Sequence, residues 1–254
     1  MNSLNHNSYL LNIQFKRDKV ASFAKYPFNL PFIEKLSSID FHPKVTFFVG
    51  ENGSGKSTIL EAIAISCGFN PEGGTKNFKF SYNDTHSELS DYIRLIKGIK
   101  NPKDGFFLRA ESFYNFATNI DELDKEPYFG ETPKIIDSYG GQSLHEQSHG
   151  ESFFALFMNR FSGKGLYILD EPESSLSPSR QMSFISKMHE LVKNDSQFII
   201  ATHSPIIMSY PDSIIYEIKD ELKIVAYEEA ENFQVMKDFL NNRKMMLDIL
   251  INEQ

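Results

Sequence analysis

One short segment, residues 50–58, constrains the fold of this chain more than any other feature of its sequence. It reads GENGSGKST, which has the G-x-x-x-x-G-K-[ST] spacing of a phosphate-binding loop. An apolar run, residues 45–49, comes before it, and residues 59–65, which can form a helix, come after it. Because this spacing forms a phosphate site when it joins a strand to a helix, we predict that the segment is one and call it the phosphate loop.

The chemistry expected of the phosphate loop follows from its residue types. Its glycines let several backbone N–H groups turn toward one point, and a helix that begins near Lys56 adds the positive end of its dipole there. The Lys56 side chain can reach the β- and γ-phosphates of ATP, and the Ser57 hydroxyl can ligate Mg²⁺. The residues predicted to bind the nucleotide here are Gly50, Glu51, Asn52, Gly53, Ser54, Gly55, Lys56, Ser57 and Thr58. The alternative is a glycine-rich turn that binds nothing.

Composition narrows the class of protein. With 254 residues, 41% of them hydrophobic, the chain can bury the core of one large domain or of two small ones. It has no apolar run as long as a membrane span and no visible secretory signal, and its single cysteine, Cys67, fits a reducing compartment. We therefore expect a cytoplasmic protein without an integral membrane segment. The net charge of -8 argues against a wholly basic nucleic-acid-coating protein, but it leaves a local basic groove open.

Apolar strands alternate with helices along most of the chain. The sequence predicts strands at residues 9–15, 45–49, 105–110, 166–169 and 197–201, and a hairpin of strands at 213–218 and 222–227. It predicts helices at 59–65, 87–96, 151–161, 180–193 and 236–251, with a connector at 28–36. Wholly apolar strands that alternate with helices favour a parallel sheet covered on both faces, which binds ligands at the carboxyl ends of its strands.

Two carboxylates follow the predicted strand at 166–169. Asp170, at the end of a strand beside the phosphate loop, suits a ligand of Mg²⁺, either directly or through water. Glu171 would project further into the cleft, where it could polarise a water molecule for in-line attack on the γ-phosphorus. The alternative is a solvated acidic turn.

Two further polar segments are candidates for the same site. His203 follows the predicted strand at 197–201, where it could donate a hydrogen bond to the γ-phosphate or hold Glu171 and the water in line. A purely structural histidine is the alternative. Ser148 and Gly150 precede the predicted helix at 151–161, and a hydroxyl, a glycine and a helix N-terminus can together bind an anion. An ordinary serine N-cap explains the same residues equally well.

The order of these elements resembles the ATP-binding-cassette (ABC) class of P-loop ATPases. The matching parts are the phosphate loop, a signature-like SHGE at 148–151, the acidic strand end at 170–171 and the histidine at 203. The resemblance implies an α/β P-loop NTPase core with a mostly parallel sheet flanked by helices, an N-terminal antiparallel β region and an inserted, mainly helical lobe at approximately 112–160. All of these would belong to one domain over residues 1–254.

The same resemblance implies cofactors and a partner. The cofactors would be ATP and Mg²⁺, and the partner a second copy of the chain that binds head to tail around ATP. Ser148 and Gly150 of one subunit would then contact the γ-phosphate on the phosphate loop of the other. A monomer would hold only half of each site.

The chain departs from the transporter members of this class in several places. Its signature reads QSHGE rather than LSGGQ, and Ser177 stands where transporter subunits usually carry Asp. The strand at 105–110 is followed by Glu111, a weak match to the metal-sensing glutamine of transporters. Tyr26 and Phe28 are the candidates for the aromatic that stacks on adenine. The run DEPE at 170–173 resembles instead the small stand-alone bacterial ATPases related to the RecF and SMC groups, some of which accompany defence systems.

Three functions are consistent with these patterns. The first is a soluble ATPase that closes on ATP and opens on hydrolysis. Its target, either DNA or an effector protein, is implied by the resemblance alone. The second is the ATP-binding subunit of a membrane transporter. The missing glutamine and the pattern at 173–177 argue against this function. The third is a nucleotide-gated interaction module with negligible turnover. The presence of both Glu171 and His203 argues against this function.

Overall fold

The computed structural model describes residues 8–76, 87–109, 118, 124, 136–137 and 149–252. The strands are β1 (Leu10–Phe15), β2 (Ser38–Asp40), β3 (Val45–Val49), β4 (Ile93–Lys97), β5 (Asp104–Arg109), β6 (Gly165–Asp170), β7 (Gln197–Ala201), β8 (Ser213–Ile218) and β9 (Leu222–Val225). The helices are α1 (Pro31–Lys35), α2 (Lys56–Ser66), α3 (His149–Arg160), α4 (Pro178–Lys193), α5 (Glu231–Asn241) and α6 (Arg243–Asn252).

A six-stranded sheet forms the centre of the fold, with the strand order β5-β6-β7-β3-β8-β9. Neighbouring strands are parallel except β8 and β9, which form an antiparallel hairpin at one edge. This confirms the predicted α/β class with a mostly parallel sheet. Because β6, β7 and β3 are adjacent and parallel, their carboxyl ends lie side by side, and Asp170, His203 and the phosphate loop come together at that end of the sheet.

A separate antiparallel sheet, β2-β1-β4, forms the predicted N-terminal β region. The buried side chain of Gln197, at the start of β7, joins it to the main sheet. Its Oε1 accepts hydrogen bonds from the N–H groups of Tyr9 and Leu10 at 3.0 and 2.9 Å. Its Nε2 donates to the carbonyl oxygens of Leu10 and His42 at 2.8 and 3.0 Å. The full hydrogen-bonding capacity of this amide is used, which offsets the cost of burying it.

Apolar side chains cover both faces of the main sheet. Along β3 they alternate, so that Val45, Phe47 and Val49 pack into one core cluster and Phe48 packs into the other. The first cluster includes residues of α3 and α4, and the second includes residues of α2 and of the antiparallel sheet. Burial on both faces explains why this strand reads as a continuous apolar run in the sequence.

Three segments differ from their predicted structure. Residues 87–96 are not one helix but a 3₁₀ turn, Glu88–Tyr92, followed by the strand β4. Pairing of Leu95 with Ile13 in β1, far away in sequence, decides this conformation, since tertiary contacts override a local helical pattern. The predicted helix at 236–251 is two helices, because the backbone leaves the helical conformation at Asn242 (φ −122°, ψ 31°). The connector at 28–36 contains the short helix α1.

The predicted lobe at 112–160 lies mostly outside the described residues, which include only α3 and residues 118, 124 and 136–137 of it. Helix α3 packs into the first core cluster through Phe153, Leu156 and Phe157, which are buried. The extent of the lobe and the assignment of residues 1–254 to a single domain stay predictions.

Candidate functional site

The phosphate loop joins β3 to α2, and two of its glycines have backbone conformations that favour glycine. Gly50 has φ = 146°, and a Cβ atom there would lie 2.5 Å from the carbonyl oxygen of Ile218. Gly55, the N-cap of α2, has φ = 97°. A larger residue at either position would displace the loop, which accounts for the glycine spacing in the sequence.

Lys56 begins α2 and is buried, with 3% of its surface exposed. Its Nζ donates to the carbonyl oxygens of Gly50 and Glu51 at 3.1 and 2.9 Å, so the ammonium group lies against the phosphate loop. Burial lowers the pKa of Lys56, and the neighbouring carboxylates, Glu171 first among them, act in the opposite direction. A cation at a helix N-terminus beside converging backbone amides is suited to bind a phosphate.

Ser57 and Asp170 bring two oxygen atoms together beside the loop. The Ser57 hydroxyl donates to Oδ1 of Asp170 at 3.1 Å, and Asp170 is buried at the end of β6. Mg²⁺ prefers such oxygen ligands and usually takes only one or two protein carboxylates together with water and substrate phosphates. Within the described ranges, no group of three or more His, Cys, Asp or Glu side chains could hold a metal by itself. The pair therefore fits a Mg²⁺ ion that is bound together with a nucleotide.

Glu171 and His203 meet at the same end of the sheet. Nε2 of His203 lies 3.2 Å from Oε1 of Glu171, although the two groups are not aligned as a hydrogen bond. Burial, and then the charge of Lys56, lowers the pKa of His203, while Glu171 acts in the opposite direction. The imidazole is therefore favoured in its neutral form, in which one ring nitrogen can accept a hydrogen bond and the other can donate one.

The backbone of Glu171 is held in an unusual conformation. Its φ of 49° is in the left-handed region, which costs a residue other than glycine about 1–3 kcal/mol and persists only where the surroundings impose it. One constraint is the hydrogen bond from the N–H of Glu171 to the carbonyl oxygen of Ala201 at 2.9 Å. Such strain clusters at functional sites, so the observation supports a functional role for this position.

These side chains open onto a cleft large enough for a small ligand. Its volume is about 590 Å³, and it is lined by Glu51, Asn52, Glu171, Glu173, His203 and Asn232. A second cleft of about 480 Å³ shares Glu51 and Asn52 and adds Gly53, Ser54 and residues of β8 and α5. Ligand-binding clefts commonly measure about 300–1,000 Å³, so both have the size to accept part of a nucleotide.

The structure brings together most of the predicted site residues. The phosphate loop, Asp170, Glu171 and His203 meet at the carboxyl end of the main sheet. Ser148 and Glu111 lie outside the described residues. Of Gly150, the structure describes only its place in the first turn of α3. The predicted trans-acting half of the site therefore stays a prediction.

The two candidates for stacking on adenine differ in exposure. Tyr26 is 63% exposed, and its OH lies 2.9 Å from Oγ1 of Thr58, which places the ring beside the phosphate loop. Phe28 is buried and packs edge-on against Tyr92, with ring centroids 4.7 Å apart. Of the two, Tyr26 is the one with an exposed ring.

Two residues of the cleft are not among the predicted site residues. Glu173 accepts a hydrogen bond at Oε1 from the main-chain N–H of His203 at 2.5 Å. Asn232, in the first turn of α5, donates from Nδ2 to the carbonyl oxygen of His203 at 3.4 Å. The acidic run at 170–173 is a signal that could have identified Glu173, whereas no motif marks Asn232.

Comparison with known proteins assigns the chain to a family. The family model AAA_23, described as an AAA domain, matches residues 22–244. The chain belongs to the AAA_23 family. This AAA_23 protein is 28% identical over 182 residues to a protein of Methanothermobacter marburgensis named as an ABC transporter ATP-binding protein, a match that covers 67% of this chain and 65% of the relative. It is also 65% identical over 46 residues to the DNA replication and repair protein RecF of Colwellia psychrerythraea, which covers 17% of this chain and 11% of that protein.

Solved structures are also similar to the AAA_23 protein. The SMC head domain from Thermotoga maritima aligns with a TM-score of 0.42 and 20% identity, over 85% of this chain and 98% of that one. The family match and the curated relatives confirm the predicted resemblance to ABC-class P-loop ATPases and to RecF. The AAA_23 chain spans less than two thirds of the length of these two curated relatives. In the ranges that the structure describes, no helix combines the length and the hydropathy of a membrane span.

Proposed function

We propose that this AAA_23 protein binds Mg-ATP at the phosphate loop and hydrolyses it to ADP and phosphate. The observation that carries the proposal is the convergence of Lys56, the Ser57–Asp170 pair and Glu171 at one end of the main sheet. Membership of the AAA_23 family also supports ATP binding and hydrolysis in general, as does the similarity to the Methanothermobacter marburgensis protein that is named as an ABC transporter ATP-binding protein.

The role of each residue follows from its position. Lys56 and the loop amides would bind the phosphates, and Ser57 and Asp170 would hold Mg²⁺. The ion supplies charge stabilisation to the phosphates when it is bound. Glu171 would accept a hydrogen bond from the attacking water. His203, 3.2 Å from Glu171, would hold Glu171 and this water in line with the γ-phosphorus.

The direct test of this function is metal-dependent turnover by the wild-type protein. Release of inorganic phosphate from ATP is expected in the presence of Mg²⁺ and is expected to stop when the ion is chelated. The ion would supply positive charge to the phosphates, which the neutral Ser57 hydroxyl and the anionic Asp170 cannot supply. A phosphate-release assay with and without a chelator measures this. ATP binding without turnover would contradict hydrolysis and favour the nucleotide-gated interaction module.

We further propose that two copies bind head to tail around ATP, with Ser148 and Gly150 of each copy completing the site of the other. This part rests on the resemblance to the ABC class and on the position of Gly150 at the N-terminus of α3. Loss of the γ-phosphate would then open the dimer, since only the ATP-bound state is stabilised by contacts across the interface.

Mixing two inactive variants tests whether Ser148 acts across the interface. Lys56→Ala and Ser148→Arg should each be inactive alone, because each disables both sites of its homodimer. In a mixed dimer one site keeps an intact loop and an intact signature, so an equal mixture should recover about a quarter of the wild-type rate, half of the dimers being mixed and each having one working site. The rate of phosphate release measures the recovery. A mixture as inactive as its components would mean that Ser148 acts within its own chain, and a Ser148→Arg protein that is active alone would mean that Ser148 has no role in turnover.

The substrate of the conformational cycle is proposed only by class, as DNA or a partner protein. The segment similar to RecF favours this over other soluble roles. A transporter subunit is the second candidate, because the methanogen relative is named as an ABC transporter ATP-binding protein. Stimulation of ATP turnover by double-stranded DNA would favour the first candidate, and co-purification with an integral membrane protein would favour the second.

A further inference from the structure

Side chains from other elements bind the backbone of His203, in addition to the contact that Glu171 makes with its imidazole. We call residues 202–205, which follow β7, the switch loop. The N–H of His203 donates to Oε1 of Glu173 at 2.5 Å, and the carbonyl oxygen of His203 accepts from Nδ2 of Asn232 at 3.4 Å. Both peptide groups that flank His203 are therefore fixed by side chains from other elements.

Glu173 and Glu171 belong to the same short turn after β6. The N–H of Ser174 donates to the carbonyl oxygen of Glu171 at 3.1 Å, and the N–H of Leu176 donates to that of Glu173 at 2.8 Å. Within this turn Glu171 lies 3.2 Å from the imidazole of His203, and Glu173 binds the backbone of the same residue. One turn thus contacts His203 twice, at its side chain and at its main chain.

The environment of Glu173 is costly for a residue with only a packing role. Its Oε2 is buried without a well-aligned hydrogen-bond partner among the described residues. Burial raises the pKa of the carboxyl group, and hydrogen bonds from the N–H of His203, from its own backbone and from the Thr202 side chain act in the opposite direction. A buried carboxylate whose hydrogen bonds are not all well formed destabilises the folded state relative to an apolar side chain of similar volume. Retention of a carboxylate here therefore calls for an explanation beyond stability.

We propose that Glu173 is a positioning residue, which holds the switch loop so that the His203 imidazole stays next to Glu171. It acts through His203 rather than on the nucleotide. The expected effect of Glu173 on turnover rests on the proposed ATP hydrolysis, whereas its hold on the switch loop does not. Because a displacement of about 1 Å in a reacting group can slow catalysis about a hundredfold, loss of this one hydrogen bond is expected to reduce turnover strongly.

The test compares Glu173→Ala with Glu173→Gln, whose amide oxygen can still accept the N–H of His203. Glu190→Ala is the matched control, because Glu190 is an exposed acid on α4 that pairs only with Lys187, a partly buried lysine of the same helix, among the salt bridges of the described residues. Two quantities are measured on each purified protein. One is hydrogen exchange of the peptide covering residues 198–206 without nucleotide, and the other is the pair kcat and KM for ATP.

Glu173→Ala is expected to exchange faster in this peptide, to lower kcat about 10- to 100-fold and to leave KM within about twofold. Glu173→Gln and Glu190→Ala are expected to match the wild type in both measurements. Should Glu173→Ala not fold, Glu173→Asp carries the same expectation, since its shorter side chain withdraws the carboxylate from the His203 N–H.

Each contrary result has a distinct meaning. Unchanged exchange in Glu173→Ala would show that Glu173 does not hold the switch loop, and faster exchange with unchanged kcat would show that its hold does not matter for turnover. Either overturns the proposal. A wild-type protein without ATP turnover would instead refute the proposed hydrolysis, while the exchange measurement, which needs no nucleotide, would still decide whether Glu173 holds the loop.

Discussion

Replacement of Lys56 by alanine is expected to weaken ATP binding strongly. The ammonium group lies against the phosphate loop, bonded to the carbonyl oxygens of Gly50 and Glu51, and is the one buried lysine among the described residues. Charge-assisted hydrogen bonds contribute about 1.5–3 kcal/mol each, so loss of the two that Lys56 would make, to the β- and γ-phosphates, should weaken ATP binding at least about a hundredfold. Isothermal titration calorimetry with Mg-ATP measures the change in Kd.

Two controls separate loss of binding from loss of folding. Lys56→Met removes the charge but fills most of the buried volume, so it should bind ATP as poorly as Lys56→Ala while leaving a smaller cavity. Lys223→Ala removes an exposed lysine that pairs with Glu221 on the β8–β9 hairpin and should leave affinity unchanged. Wild-type affinity in a folded Lys56→Met protein would refute the assignment of residues 50–58 as the phosphate loop.

Replacement of Glu171 by glutamine is expected to stop hydrolysis but not ATP binding. The amide keeps the size of the side chain and loses the ability to accept a proton from water, which typically lowers the rate about 10²–10⁴-fold. Because ATP then stays bound, dimers should accumulate, and light scattering with size-exclusion chromatography should report twice the monomer mass in Mg-ATP. Phosphate release gives the rate on the same sample.

The two measurements on Glu171→Gln test separate claims. A normal rate of phosphate release would show that Glu171 is not the general base. A protein that stays monomeric in saturating Mg-ATP would contradict the head-to-tail dimer. Glu190→Gln, which changes the net charge by the same amount on the exposed face of α4, should behave as wild type in both assays.

Much of the candidate site could be predicted from sequence because its parts are local. The phosphate loop, the acidic pair at 170–171 and His203 each follow a short apolar strand, and such strands form parallel sheets whose carboxyl ends coincide. The observed order β6-β7-β3 makes the three ends immediate neighbours. Local patterns, together with one topological rule, were therefore enough to predict that these residues meet.

The features that could not be predicted depend on contacts between distant parts of the chain. Glu173 reaches the N–H of a residue 30 positions away, and Asn232 reaches the carbonyl oxygen of a residue 29 positions away. Strand β4 forms because β1 pairs with it, although its own residues also suit a helix. No single-sequence pattern carries this information, since each of these contacts is decided by the folded arrangement of other elements.

The left-handed backbone of Glu171 bears on how this protein would respond to directed evolution. Glycine adopts that conformation without steric penalty, so a library screened for heat resistance alone should enrich Glu171→Gly even though that change removes the carboxylate. Screens that also require turnover should reject it. Position 171 would then be one at which thermal tolerance and catalytic competence select opposite residues.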